Sequence, residues 1–417
     1  MNIVPARYAC AIALPALLAS ACGMVRPLGA VDFNQRLERT DLPPIDVHFS
    51  IQGDHRAAQQ RYVAATMAAL KQTGEWLGAL PLTTLTVVDP PRGGAPPPGA
   101  ADAIVLERTP LWSTASSMTP ELAAARAVSR RAWNSLIDTR ALPPWFVEAL
   151  AEYAARRVVA RLFEQENPPG FAFHEERYFD RFVPRSTRIY LRRESDREPV
   201  TAYRANPTAT DFASQAGKAV LALGTLERWV GRPVFDQLVA EFAHRGHATP
   251  PSLADFARTA SEVSAQDLTW LFDEAFGSSR VFDYGVESLT SEPDPDGRFI
   301  TTVVARRFGD ARFTGTSAVP VAGFESGRGI TLLVQFADGR RRIDYWDGRD
   351  RTRTFHYRSS ARALTAQVDP DDTLLLDLAR VNNSVTLSPD AASAASGWSA
   401  RWLAWMELAL LTYGSLV

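Results

Sequence analysis

The hydrophobic period of this chain changes once, near residue 282, and this change constrains the fold more than any other feature. Before it, apolar side chains recur every three or four residues, which is typical of amphipathic helices. After it, apolar and polar residues alternate in short runs separated by turn sequences such as Asp338-Gly339. We therefore expect an α+β protein with a helical bundle followed by a C-terminal β-sandwich. The predicted helices cover residues 119–137, 144–162, 211–230, 232–243, 252–263 and 265–276, and the predicted strands cover 299–305, 330–336, 341–346, 352–357 and 363–368.

Strands are also expected before the long helices. Residues 45–52, 82–88 and 104–106 are rich in apolar and β-branched side chains, and a helical pattern over residues 56–78 separates the first two. These elements predict a small sheet beside the helical bundle. The first folded domain should therefore span residues 45–281, and the β-sandwich should span residues 282–388.

The N-terminus is expected to be a targeting signal rather than part of the fold. Residues 1–21 carry a basic residue, then an apolar stretch, then small residues before Cys22. The run Leu18-Ala19-Ser20-Ala21-Cys22 resembles the lipobox of bacterial lipoproteins, which implies acylation of Cys22. Gly23 after the cysteine suits a lipid-anchored protein of the cell envelope, at the outer membrane and facing the periplasm. A plain secretory signal is the alternative, and residues 22–44 are expected to be a tether.

The C-terminus is unusually rich in tryptophan. Trp398, Trp402 and Trp405 precede an apolar run, Leu408–Leu411, but Arg401 and Glu407 interrupt it. A membrane-spanning helix needs about 20 apolar residues. For residues 389–417 we therefore favour a linker and a hydrophobic helix lying on a membrane surface. A helix packed on the sandwich and a short span are the alternatives.

Composition excludes several classes of function. The formal net charge is -2, so no strong field attracts nucleic acid. Two cysteines cannot build a disulfide framework, and six histidines leave little material for histidine chemistry. The chain has no G-x-S-x-G nucleophile elbow and no P-loop.

The most informative motif is the run from Pro144 to Tyr153, PWFVEALAEY. It resembles the W-L-x-E-G-x-A-x-Y helix of the gluzincin, or aminopeptidase N-like, zinc peptidases. The resemblance implies a thermolysin-like catalytic-type domain and places Glu148 at the position of the third zinc ligand. Further similar segments are Trp76–Pro81, Leu85–Val88, Gly99–Ala103, Phe212–Leu226, Leu268–Phe272, Phe282–Tyr284, Val368–Pro370, Asp377 and Asn382–Ser384.

The residues that such a peptidase needs are missing. No histidine lies between His55 and His174, so the helix before Glu148 cannot supply an H-E-x-x-H motif. One alignment places Arg130-Arg131-Ala132-Trp133-Asn134 over that motif. By the same resemblance, Ser214 replaces the oxyanion-stabilising tyrosine, and Asp102 with Ala103 replaces two residues of the substrate clamp. Guanidinium groups at ligand positions repel a dication, so we expect no zinc.

These observations predict a peptidase fold without peptidase chemistry, which would bind a peptide or an envelope protein. Glu148 is expected either to pair with Arg130 or Arg131 in place of a metal, or to lie on a solvated face with Glu152 and Arg156. Two other functions remain open. One is an active metallopeptidase with an atypical site built from Glu148, Asp102 and a distant histidine. The other is a purely structural role for the β-domain and the tail.

Overall fold

The N-terminal part of the chain forms a mixed four-stranded sheet with one helix packed on it. The computed structural model describes residues 29–40, 42–90, 103–106, 119–166, 209–314 and 329–388. Strands β1 and β2 are antiparallel, whereas β2, β3 and β4 are parallel neighbours. The side chains of Ile45, Val47, Phe49 and Ile51 alternate along β2 and are buried. The bounds are β1 Val31–Arg39, β2 Leu42–Ile51, β3 Thr84–Val88, β4 Ile104–Val105 and, for the helix, α1 Gln59–Leu77.

Strand β1 corrects part of the sequence prediction, which assigned residues 22–44 to a tether. Residues 31–39 pair with β2 along almost its whole length. Phe33 lies opposite Phe49, and their rings stack with centroids 5.1 Å apart. Leu37, four residues further on, is half-buried against the same face. The alternation of Phe33 and Leu37 with polar residues gives this segment one apolar face, and that face explains the strand.

Within the described ranges, six further helices follow the sheet and enclose an aromatic core. Phe146 contacts Phe256 and Phe276 at ring-centroid distances of 5.1 and 6.1 Å, and Phe242 contacts Phe256 at 5.0 Å. Such edge-to-face contacts hold helices in a fixed orientation. Phe146, near the start of the third helix, is therefore anchored against the helix that carries Phe256 and against Phe276, which follows the last of these helices. The bounds are α2 Thr119–Leu136, α3 Pro144–Glu166, α4 Ala209–Val230, α5 Arg232–Gly246, α6 Leu253–Ser264 and α7 Thr269–Ala275.

The C-terminal part contains two antiparallel sheets, in the orders β5-β6-β9 and β11-β10-β7-β8. The predicted strands at 330–336, 341–346 and 363–368 match β7, β8 and β10. Strand β5 was not predicted, because a register shift between Val286 and Ser288 interrupts its alternation. The bounds are β5 Tyr284–Pro293, β6 Phe299–Arg307, β7 Ile330–Phe336, β8 Arg341–Trp346, β9 Thr352–Ser359, β10 Ala363–Val368 and β11 Ser384–Thr386.

The targeting and membrane segments proposed from the sequence lie outside the described residues. These are the signal over residues 1–21, with Cys22, and the hydrophobic helix within residues 389–417. Among the helices that are described, none is both long enough and apolar enough to cross a bilayer.

Candidate functional site

The peptidase-like motif lies on helix α3, which follows α2 after a short turn. Pro144 is the first residue of α3, where its fixed φ and missing N–H suit the helix. In the preceding turn, Asp138 accepts a hydrogen bond from the backbone N–H of Arg140 at 3.1 Å. Trp145 and Phe146 are buried at the beginning of α3. The start of α3 is thus fixed, so the position of each later turn relative to α2 is fixed as well.

Between the two helices lies a cluster of five charged side chains, which we call the interhelical ion cluster: Arg126, Arg130, Glu148, Glu152 and Arg156. Oε2 of Glu148 accepts hydrogen bonds from Nε and Nη2 of Arg130 at 3.0 and 2.6 Å. Arg126 forms an ion pair with Glu152, and its Nε lies 4.0 Å from Oε1 of Glu148. Arg156, one turn after Glu152, donates to it at 3.2 Å. Two carboxylates therefore face three guanidinium groups.

The interhelical ion cluster is largely shielded from solvent. The side chains of Glu148 and Glu152 are 17% and 15% exposed, and those of Arg126 and Arg156 are 12% and 15% exposed. Burial alone would raise the pKa of Glu152, but Arg156 and Arg126 outweigh this effect and lower the pKa. Glu152 therefore stays ionised at neutral pH and has little tendency to take up a proton. The sequence left open whether these glutamates lie on a solvated face; they do not.

The residues around Glu148 do not fit a zinc ion. A catalytic zinc needs three donors such as imidazole or carboxylate and an open coordination position. Here guanidinium hydrogens occupy one oxygen of Glu148, and Arg126 approaches the other. Within the described part of the chain, no three His, Cys, Asp or Glu side chains come together as a metal-binding group. The donor set at this position therefore carries the wrong charge for a dication.

Of the residues singled out from the sequence, the described part of the chain brings Arg130 and Glu148 into contact, and Glu152 and Arg156 belong to the same cluster. The Nε atom of Arg131 is buried without a hydrogen-bond partner among the described residues, and no ion pair joins it to Glu148. Asn134 is exposed, and its Oδ1 accepts a hydrogen bond from the Thr139 hydroxyl at 2.8 Å. Asp102 lies outside the described residues. Of Ser214 only the backbone, within α4, is described.

Sequence reasoning missed the residue that bridges the two carboxylates, Arg126. The sequence alignment places the counterpart of the zinc-binding motif at Arg130–Asn134, which begins one helical turn after Arg126. A signal was nevertheless present, because Arg126 and Arg130 are one helical turn apart, as are Glu148 and Glu152. Two such pairs on adjacent antiparallel helices predict a four-residue ion cluster.

One solved structure with a similar fold is an aminopeptidase. The chain resembles the crystal structure of Legionella pneumophila aminopeptidase A in complex with aspartic acid, with a TM-score of 0.51 and 14% sequence identity. The match covers 84% of this chain and 38% of that one, so this chain spans less than half of the solved protein's length. No protein-family model and no curated protein matches the sequence. The likeness shows a peptidase-like fold and nothing about activity.

Proposed function

We propose that this chain is a membrane-tethered envelope lipoprotein with an aminopeptidase-like fold that has lost catalysis and acts as a binding or scaffolding module. It is a degenerate member of the gluzincin peptidases, and its two C-terminal sheets form a β-sandwich over residues 282–388. Cys22 carries the lipid after removal of residues 1–21, and the protein faces the periplasm from the outer membrane. The hydrophobic segment within residues 389–417 adds a second membrane contact. Its partner is a peptide or another envelope protein.

The interhelical ion cluster is the observation that carries the proposal. In a zinc peptidase the third ligand must offer free carboxylate oxygens to the metal, and a nearby carboxylate must accept a proton from water. Glu148 instead accepts two hydrogen bonds from Arg130, and Glu152 is bound by Arg126 and Arg156. Both carboxylates are therefore occupied by guanidinium groups and supply neither function.

Metal content and hydrolysis, measured on the same preparation, test the loss of catalysis. We expect the purified chain to hold much less than one zinc per molecule after dialysis against zinc and to leave aminoacyl reporter substrates uncleaved. Glu148→Gln is the matched variant, because it keeps the shape of the side chain and removes its charge. Stoichiometric zinc, together with hydrolysis that Glu148→Gln abolishes, would contradict the proposal.

Lipidation is tested separately with labelled palmitate in a Gram-negative host. The label should be incorporated into the wild type and lost in Cys22→Ala. Cys10→Ala is the matched control, because Cys10 lies within the predicted signal and its loss should not change labelling. Equal labelling of Cys22→Ala and the wild type would exclude Cys22 as the anchor. Capture of a partner by the chain with and without residues 390–417 then distinguishes binding by the folded domains, residues 45–388, from binding by the C-terminal segment.

A further inference from the structure

A second polar site lies on a different face of α3 from the interhelical ion cluster. Helices α1, α3 and α5 enclose a groove with a volume of about 420 Å³. Positions 157 and 161 of α3 line it, whereas positions 148, 152 and 156 face α2; consecutive residues of a helix point about 100° apart. The groove therefore lies on a different face of α3 from the ion cluster, and we call it the lateral groove.

Two guanidinium groups at the lateral groove are only loosely held. The Arg161 and Arg232 side chains are 54% and 56% exposed. Their ion-pair partners, Glu75 and Glu227, lie 3.5 and 3.9 Å away, beyond the length of a good charge-assisted hydrogen bond. Exposed pairs of this length contribute little to stability. Both guanidinium groups are therefore able to turn towards a bound anion.

Neutral donors that lack partners lie in the same wall. Thr73 is 1% exposed, and its hydroxyl has no hydrogen-bond partner among the described residues. The indole N–H of Trp76, one turn later on α1, is buried and equally unpartnered within the described ranges. Both residues line the groove. Both atoms are shielded from solvent, so a ligand in the groove contacts them only after a small movement of the wall, which would relieve the cost of two unsatisfied donors.

The beginning of α5 adds positive potential to this site. Gly231 at its N-cap offers no side chain to the first backbone N–H groups, and the first turn of α5 contains no acidic residue. Helix N-termini attract anions. Arg157 forms the fixed part of the groove, since its guanidinium lies 4.3 Å from the centroid of the Trp76 ring and pairs with Asp236. Asp236 thereby offsets the charge of Arg157, and Glu75, which also lines the groove, is the carboxylate that a bound anion replaces at Arg161. Arg161 and Arg232 provide the binding charge.

We infer that the lateral groove binds the phosphate group of a phosphate ester. The candidate donors come from three helices that line one groove, so they approach a bound group from several directions, as a tetrahedral oxyanion requires. Arginine binds phosphate through two parallel N–H donors. A groove of this size holds the organic part of the ester beside the phosphate. The inference does not depend on the proposed loss of catalysis, because no residue of the ion cluster takes part.

Calorimetric titration of the full chain with glycerol 3-phosphate tests the site. The wild type should show saturable binding, and Arg161→Gln/Arg232→Gln should bind at least about tenfold more weakly, because two charge-assisted contacts are lost. Arg258→Gln is the matched control. Arg258 is 63% exposed, pairs with Asp255 on α6 and does not line the groove. The melting temperatures of all three proteins should agree, since the replaced side chains are exposed.

A vesicle assay distinguishes a lipid headgroup from a soluble ester. Binding to phosphatidylcholine vesicles that contain phosphatidylglycerol, lost in the double variant and displaced by glycerol 3-phosphate, identifies a phospholipid headgroup as the source. Binding of glycerol 3-phosphate without vesicle binding identifies a soluble ester. Three results would overturn the inference: no binding of either probe, equal binding by the wild type and the double variant, or tighter binding of succinate than of glycerol 3-phosphate.

Discussion

Two groups of buried carboxylates in this protein are stabilised in opposite ways. Between α2 and α3, Glu152 contacts two guanidinium groups, and its pKa is lowered. After β10, Asp369 and Asp377 are held by hydrogen bonds instead of cations. Asp369 accepts from two backbone N–H groups at 2.9 and 2.8 Å, and Asp377 accepts from Nδ2 of Asn383 at 3.1 Å. Burial raises the pKa of both aspartates, that of Asp377 to about 7.

The difference shows what a buried carboxylate needs in order to stay charged. Hydrogen bonds from neutral donors reduce the free-energy cost of burying a charged carboxylate but do not cancel it. Asp377 therefore remains protonated up to about neutral pH. Fixed cations reverse the effect, so Glu152 remains an anion. A catalytic base in this fold would have to resemble Asp377 more than Glu152. The helix that carries the peptidase-like motif has the opposite arrangement, which is consistent with the proposed loss of catalysis.

Removal of the bridging cation should have the largest effect. Arg126→Met keeps the apolar stem of the side chain but leaves Glu148 and Glu152 facing each other with one cation fewer. We expect a loss of about 3 kcal/mol in the free energy of unfolding, because the uncompensated carboxylates stay largely buried. Urea denaturation of both proteins measures this change.

A double-mutant cycle with Glu152→Gln separates this charge effect from lost packing. If the charges matter, Glu152→Gln should restore part of the stability of Arg126→Met, with a coupling energy above about 1 kcal/mol. Arg258→Met, at an exposed i,i+3 pair on α6, is the control and should change stability by less than about 0.5 kcal/mol. Equal losses for Arg126→Met and Arg258→Met would show that the ion cluster carries no buried charge.

Periodicity was sufficient for most of the fold. The strands at 330–336, 341–346 and 363–368 are short runs separated by turn sequences such as Asp338-Gly339 and Asp347-Gly348, so their bounds follow from local sequence. Strand β1 was assigned to a tether because its polar residues outnumber its apolar ones. Its stability comes from pairing with β2, a contact that no local pattern reveals. Strand β5 was missed because of its bulge, which moves the alternation by one residue.

The candidate site was only half predictable for a related reason. The four-residue spacings that align Arg126 with Arg130, and Glu148 with Glu152, are visible in the sequence. The relative position of α2 and α3 is not, because it depends on how the turn between them and the aromatic core fix the two axes. If α2 were shifted by one turn along α3, Arg130 and Asn134 would face the carboxylates instead of Arg126 and Arg130. The lateral groove was not predictable at all, since its residues come from three helices far apart in sequence.

The hydrogen-bonded carboxylate should make stability depend on pH. Asp377 is protonated in the folded state below about pH 7, whereas in the unfolded chain it ionises near 3.8. The folded state therefore binds more protons between these values, so stability falls as pH rises from about 4.5 to 7. In Asp377→Asn this contribution is absent. The stability of the variant relative to the wild type should increase by about 3 kcal/mol over the same range.

Urea denaturation at several pH values measures this difference. A residual slope is expected in Asp377→Asn, because burial also raises the pKa of Asp369 and of Glu274. Measurements should stop below about pH 8, where Lys218 begins to titrate; burial lowers its pKa to about 8. Parallel pH profiles of the variant and the wild type would show that Asp377 is already ionised in the folded state.

The smallest effect is expected for the exposed edge of the ion cluster. Arg130 is 41% exposed, although it donates two hydrogen bonds to Glu148. Arg130→Gln should cost about 1 kcal/mol or less, because solvent screens this pair and Arg126 still lies near the other oxygen of Glu148. Loss of Arg130 should matter more when Arg126 is already replaced, so Arg126→Met/Arg130→Gln should lose more stability than the sum of the single variants. If the losses of stability in the two single variants simply add, each carboxylate depends on one arginine only. The contrast with Asp377 would then depend on Arg126 alone.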